Sequence, residues 1–469
     1  MATAPVAGGP LTSERARQAL EQLIEAHGIP GAGFAAARDG QIVATAAAGV
    51  ANLDTGLPVD DSTVWQPGSI GKTYTTVLVM QLVDDGLLDL DTPVRRYLPD
   101  LRFADTEATN TVTARQLLDH TAGIDGDRLD ETGATFGRGD DALQRYVESL
   151  ADLPQMLPPG RLWSYCNAGY MVLGRLVEVL RGMSFEQALA ERLLQPAGLA
   201  DTFWFPEQVV TRNVAAGHLP GPDGSLSVSP IWALGRAGAP AGAVPYTTMR
   251  DLLGFAEILL RGGVAANGAR ILSEAAVAEM LRPHVECPER ELLGGHWGLG
   301  VMMRLDPAPA VYGHDGNTMG QTAALRFVPE RNLAYALITN RHQANAVFAV
   351  LCNAIVDEWA GIVTPRQRKP VEGLAVPAPE RLAGRYANVG AEIDVAVDGG
   401  QPTMTLRARR ETAEQFASAP SPLRPIDQDT FVVHLDIVDE DLQVAFVEPA
   451  ADGRPGFIHF GGRLYRRSG

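Results

Sequence analysis

Residues 13 to 27, SERARQALEQLIEAH, carry apolar side chains at the three- and four-residue spacing of one helix face, with Ser13 placed to cap it. The next stretch, GAGFAAARDGQIVATAAAGV, drops that period and alternates around Asp39-Gly40, which predicts two strands joined by a tight turn. Helical spacing resumes after Pro67-Gly68 in YTTVLVMQLVDDGLL and stops near Gly86. From about 90 to about 290 the pattern stays mostly helical. TARQLLDH, GYMVLGRLVEVLRG, SFEQALAERLL and TTMRDLLGFAEILLRGG each combine that period with a capping residue or a glycine stop. Strand patterns return late, in WGLGVMMRL, QTAALRFVP and LAYALITNR.

Strands at both ends of this region and helices between them predict an α+β fold. Early and late strands share one antiparallel sheet flanked by helices, and the middle of the chain forms a helical lobe. A proline-punctuated run, VTPRQRKPVEGLAVPAPERL, then separates this unit from GRYANVGAEIDVAVDGG, PTMTLRARR, TFVVHL, LQVAFVEP and GFIHFGGRLYRR, which alternate as strands. The expected organisation is a catalytic unit over 1–365, a linker over 366–379 and a small C-terminal antiparallel β-barrel over 380–469.

A length of 469 residues, 46% of them apolar, is too much for one core and fits two units. The net charge of −17, with no Lys/Arg block, argues against nucleic acid or an anionic membrane as partner. No run of eighteen apolar residues occurs, and the first residues lack a basic segment followed by an apolar one, so no export signal is expected. Three cysteines, Cys166, Cys287 and Cys352, are odd in number and widely spaced, which fits neither a disulfide framework nor a zinc site and suits a reducing cytoplasm. The nine histidines show no metal-ligand spacing and no dinucleotide or phosphate loop is evident, so no metal and no cofactor is expected.

Against that background one segment stands out. Only two of the thirty-nine basic residues are lysines; Lys369 lies in the basic run RQRKP, but Lys72 lies in WQPGSIGKTY, three residues after Ser69. Arginine cannot lose its proton inside a protein, whereas a buried lysine can act as a base. Ser69 sits where a Pro-Gly turn meets a helix, so Lys72 falls one turn on and on the same face, within reach of a hydroxyl that needs a base to become a nucleophile. Two further segments carry candidate chemistry. In WSYCNAGYMVLG, Tyr165 could shuttle a proton, a nearby amine pushing it toward phenolate, and Asn167 could hold a substrate carbonyl or orient the lysine; the same pair also fits a half-buried tyrosine and a helix cap. In YGHDGNTMGQTAALRFVP, His314 and Gly316 precede a strand pattern, and Gly316 would let backbone N–H groups approach a ligand or an oxyanion.

Together, SIGK, YCN and HDG in this order resemble the serine β-lactamase-like superfamily, in its branch of class C β-lactamases, DD-peptidases, D-aminopeptidases and esterases. DGLLDLDTPVRRYLP, TARQLLDHTAGI and GHDGNTMGQTAALRFVP share the likeness, which spans about 12 to 360, and the C-terminal unit is similar to the lipocalin-like domains appended to many members. The resemblance implies that Ser69 forms an acyl-enzyme, Lys72 takes its proton, Tyr165 relays protons and Asn167 contacts the substrate carbonyl. It puts His314 where many relatives have lysine, and makes the backbone N–H groups of Ser69 and Asn317 the oxyanion hole. Asp315 replaces the usual hydroxyl residue; facing the cleft it would repel a substrate carboxylate, and facing away it would not. The implied function is hydrolysis of esters, amides or D-amino-acid peptides, with a small-molecule or peptide acyl substrate as partner. The alternative is transfer of the acyl group to an amine or alcohol, as in acyltransferases and penicillin-binding-protein-type thioesterases. The oligomeric state stays open.

Overall fold

The first two strands consist largely of alanine and glycine; the first buries both of its faces over residues 31–36, whereas the second buries alternate residues and leaves its start exposed. In the computed structural model, which describes residues 10–126, 133–221, 224–289, 294–341, 357–363, 368–408, 417–436 and 440–468, helix α1 (Ser13–His27) lies on strands β1 (Gly31–Arg38) and β2 (Gln41–Asn52). Asp39 and Gly40 join these strands with φ of 53° and 73°, the double left-handed geometry of a tight hairpin turn. Thr12, not Ser13, caps α1 by accepting the Arg15 N–H. Ser13 is instead the first helical residue, and its Oγ accepts the Thr45 N–H at 3.1 Å, tying α1 to β2.

The sheet continues with β3 (Leu57–Pro58), β4 (Val285–Glu286), β5 (Gly295–Trp297), β6 (Met302–Arg304), β7 (Val311–Asn317), β8 (Thr322–Val328) and β9 (Leu333–Thr339). Its order is β3-β2-β1-β9-β8-β7-β6-β5-β4, with every neighbouring pair antiparallel. Early and late strands therefore meet as the hydrophobic pattern implied, β1 against β9. The segment WGLGVMMRL forms two short strands rather than one, because Gly298 and Gly300 turn the chain and set Trp297 opposite Met302.

Strand pleat sorts the core into two layers. Phe34, Ala36, Val328, Tyr335 and Leu337 pack on the α1 side. Ala35, Leu325, Phe327, Ala336 and Ile338 pack on the other, with α2 (Gly71–Asp84), α3 (Asn167–Arg181) and α4 (Met249–Leu260). Helix α3 ends where Gly182 takes φ 68° and α4 begins at the Thr248 cap.

The C-terminal unit has its own core, including Ile393, Met404, Phe431, Val444 and Ile458. Its strands are β10 (Gly384–Ala387), β11 (Ala391–Asp398), β12 (Gln401–Ala408), β13 (Ser421–Pro422), β14 (Arg424–Pro425), β15 (Thr430–Leu435), β16 (Glu440–Pro449), β17 (Pro455–Phe460) and β18 (Arg463–Ser468). They pair in the order β13-β12-β11-β10-β18-β17-β16-β15-β14, all antiparallel. Only Leu423 separates the two edge strands in sequence, so the sheet nearly closes into a barrel. Met156 and Leu157 of the helical lobe pack on Phe457 and Leu464 of the barrel. The expected boundary near 365 and Cys352 lie outside the described residues; Cys166 and Cys287 are buried free thiols.

Candidate active site

Ser69 sits in a single 3-10 turn, Gly68–Ile70, that leads into α2. Gly68 takes φ 57°, which bends the chain sharply after Pro67. Strand β7 packs on this turn backbone to backbone. A Cβ on Gly316 would lie 1.9 Å from the Pro67 carbonyl oxygen and 2.9 Å from Ser69 N, and a Cβ on Gly68 would lie 2.8 Å from Asn317 N. The glycine read as admitting a ligand thus admits the nucleophile's own turn. In doing so it brings the backbone nitrogens of Ser69 and Asn317 to one spot.

Lys72 is fully buried on the first turn of α2. Its Nζ lies 3.1 Å from Ser69 Oγ and 2.5 Å from the Ala241 carbonyl oxygen, and 4.9 Å from the Tyr165 ring centroid. An ammonium without an anion in such a place costs several kcal/mol, so the group sheds its proton instead. Burial, and secondarily the charge of Arg463, hold the Lys72 pKa well below 10.5. A neutral amine that donates to Ala241 O keeps a lone pair for the Ser69 O–H.

Tyr165 lies on the extended segment before α3, with its hydroxyl close enough to the Ser69 side chain to feel it and its ring 4.9 Å from Lys72 Nζ. Burial raises its pKa above the ordinary 10. The expected push toward phenolate is therefore reversed: beside it stands an uncharged amine, and a low-dielectric setting favours the neutral phenol. Asn167 is the first residue of α3, buried. Cys166 lies buried beneath the site with a thiol pushed up to about 11 by desolvation, which leaves it an unreactive space-filler.

His120, which nothing in the sequence marks, braces this segment. It adopts φ 61°, its carbonyl accepts the Ser164 N–H at 2.9 Å and its Nδ1 accepts the Cys166 N–H at 3.1 Å. Its ring lies 4.4 Å from that of Tyr165.

His314 lies within β7 rather than ahead of a strand, because the strand pattern of 321–328 is the partner strand β8. Its ring is 6.2 Å from Tyr165 and 5.3 Å from Trp297. Nδ1 lies 2.5 Å from the Asp315 carbonyl, so Nδ1 carries the proton and the buried, unpartnered Nε2 is an acceptor. Burial lowers its pKa to about 3. Asp315 does not join the site. Pleat alternation turns it to the opposite face from His314, where it pairs with Arg326 at 2.6 Å. The Asp315 carboxylate is thus turned away from the cleft, with Arg326 as its partner.

The barrel reaches the site through the turn between β17 and β18. The Gly462 carbonyl accepts the Tyr165 N–H at 2.8 Å, and the Arg463 Cζ stands 5.2 Å from the Tyr165 ring centroid. Neither residue was legible in the sequence. Among the described residues no three His, Cys, Asp or Glu side chains cluster as a metal site, and no helix is long and apolar enough to cross a membrane. The arrangement can deprotonate a hydroxyl, donate to a leaving group and receive an oxyanion on two N–H groups.

The family described as Beta-lactamase matches residues 16–355. The chain is 39% identical over 383 residues to Penicillin-binding protein 4 of Amycolatopsis lactamdurans, covering 80% of this chain and 97% of that protein. It is 27% identical to Esterase EstB of Burkholderia gladioli, covering 62% and 80%. The crystal structure of SurE superposes with a TM-score of 0.76 at 29% identity, covering 97% of this chain and 99% of that one.

Proposed function

The chain belongs to the beta-lactamase family, and within that family's serine hydrolases we propose that it cleaves esters, amides or D-amino-acid peptides through an acyl-enzyme on Ser69. The observation that carries this reading is the 3.1 Å contact between Ser69 Oγ and a buried, neutral Lys72 Nζ. Lys72 takes the Ser69 proton as Oγ bonds the substrate carbonyl carbon, and the developing oxyanion lies on the N–H groups of Ser69 and Asn317. The proton passes from Lys72 through the Tyr165 hydroxyl to the leaving group as its bond to carbon breaks. Water then attacks the acyl-enzyme, giving its proton to the same relay, and Ser69 is restored. Asn167 holds the substrate carbonyl or amide, and His314, its Nε2 unpartnered beside the Tyr165 ring, is placed to accept a donor of the substrate. The likeness to an esterase and to a penicillin-binding protein supports acyl chemistry of this kind.

The test is p-nitrophenyl hexanoate with nitrophenol release and intact mass recorded together. The expected result is turnover and a mass gain of one acyl group, both abolished by Ser69→Ala. No release and an unmodified Ser69 would overturn the reading. An added amine decides the fate of the acyl group: free acid as the main product supports hydrolysis, and amide as the main product makes the enzyme an acyltransferase.

A further inference from the structure

The amide that carries the Tyr165 side chain is satisfied from outside the catalytic unit. The backbone before α3 is extended, with Cys166 at φ −141° and ψ 115°, so successive N–H groups point to opposite sides. Ser164 N–H and Cys166 N–H turn to His120, bonding its carbonyl at 2.9 Å and its Nδ1 at 3.1 Å. Tyr165 N–H turns the other way, to the Gly462 carbonyl of the barrel at 2.8 Å. From the same side, Leu464 N–H donates to Ser164 Oγ at 3.1 Å. The segment is thus gripped on both edges, by the catalytic unit on one and by the barrel on the other.

The barrel's side of this grip hangs on one buried side chain. Gly461 and Gly462 take φ of 59° and 77° in the two-residue turn between β17 and β18. Glu289 of the catalytic unit, only 1% exposed, receives two donors from the barrel on its Oε1: His459 Nδ1 at 2.6 Å and Gly462 N–H at 3.0 Å. Gly462 therefore donates to Glu289 through its N–H and accepts from Tyr165 through its carbonyl. Without that acceptor two buried donors are orphaned, and the turn must move to satisfy them. Movement of the turn carries the Tyr165 amide with it, and the ring on that amide lies 4.9 Å from Lys72 Nζ. A displacement of about 1 Å at such a place costs about a hundredfold in rate.

We propose that Glu289 is a positioning residue for catalysis: through Gly462 it fixes the Tyr165 backbone, and so sets the reach of the hydroxyl that protonates the leaving group. This rests on the reading of Tyr165 as the proton relay. Proton delivery matters little when p-nitrophenolate departs and much when the more basic p-cresolate departs. The readout is therefore the ratio of kcat/KM for p-nitrophenyl hexanoate to that for p-tolyl hexanoate, which share one acyl group. Tyr165→Phe sets the ratio reached without a relay. Glu289→Ala is expected to raise the ratio about tenfold toward that value, and Glu289→Gln, which keeps an acceptor for Gly462, to return it within about threefold of the wild type. Phe457→Ala removes an apolar contact between barrel and lobe outside this chain of bonds, and is expected to lower Tm with the ratio unchanged. A raised ratio there would reduce the effect to lost stability and overturn the proposal. Far-UV circular dichroism and Tm show which variants fold. If Glu289→Ala does not, Ser164→Ala, which removes the acceptor of Leu464 N–H, takes its place, with a rise of about threefold expected. A wild-type ratio in the folded variant, with a raised one in Tyr165→Phe, would overturn the proposal and leave the relay standing. An unraised ratio in Tyr165→Phe would overturn both, and nitrophenol release abolished by Ser69→Ala would still report the nucleophile by itself.

Discussion

Replacing Gly316 by alanine tests whether close contact between β7 and the Ser69 turn builds the oxyanion site. The added Cβ would lie 1.9 Å from the Pro67 carbonyl oxygen and 2.9 Å from Ser69 N, and both are backbone atoms. An ordinary carbon-to-oxygen contact is about 3.4 Å, so strand and turn must part by about 1.5 Å. That displacement falls on the two N–H groups that receive the oxyanion. Losing one such donor costs about a hundred- to a thousandfold in kcat, and a shift near 1 Å costs about a hundredfold by misplacement alone. We expect Gly316→Ala to slow acylation by at least about a hundredfold, measured as the burst of p-nitrophenol from a hexanoate ester in stopped flow. Gly263→Ala is the control: its Cβ would meet the Leu272 carbonyl at 2.2 Å, a similar clash outside the cleft, and should lower Tm while leaving the burst rate within a few-fold. A folded Gly316→Ala protein with a wild-type burst would refute the assignment of the oxyanion site to Ser69 N and Asn317 N.

Lys72→Arg keeps the charge but cannot supply a base, so single-turnover acylation should fall by about a hundred- to ten-thousandfold; a loss under about tenfold would remove Lys72 from that role. Asp315→Asn should leave kcat/KM for charged and neutral esters within about twofold, because the carboxylate faces Arg326 across the sheet, and its cost in urea denaturation should stay under about 1 kcal/mol. Acid should destabilise the fold through His314. Its pKa is about 3 in the folded protein against an ordinary 6.5, so the unfolded chain binds a proton first and stability is lost as pH falls from 6.5 toward 3. The slope in that window approaches about 1.4 kcal/mol per pH unit, and urea titrations of the wild type and His314→Gln should show it flattened in the variant.

The chemistry that could be read from the sequence is the chemistry that lies close along the chain. Ser69 and Lys72 share one turn, and the scarcity of lysine made the pair visible. Tyr165, Asn167 and His314 came from short motifs, and the structure brings Tyr165 and His314 to the Ser69–Lys72 pair. His120, Glu289 and Arg463 act through contacts between distant segments, and no local period marks them. The direction of Asp315 follows from pleat parity, but only once the strand is placed at Val311–Asn317 instead of after it. The state of Tyr165 depends on whether its neighbouring amine is charged, which burial decides and spacing does not. The helix cap differed by one position because Thr12 and Ser13 both suit it, and Thr45 claims the serine.

The pairing of β1 with β9 also bears on how the protein is made. Gly31 N–H bonds the Asn340 side chain, 309 residues away, and Ala32 lies opposite Thr339. At about 5 to 20 residues per second, a ribosome needs about 15 to 60 s to supply that partner after β1 emerges. Until then the leading hairpin shows an unpaired edge, and the Ser69 turn lacks the strand that packs on it. Completion of the sheet therefore waits on loop closure over most of the chain.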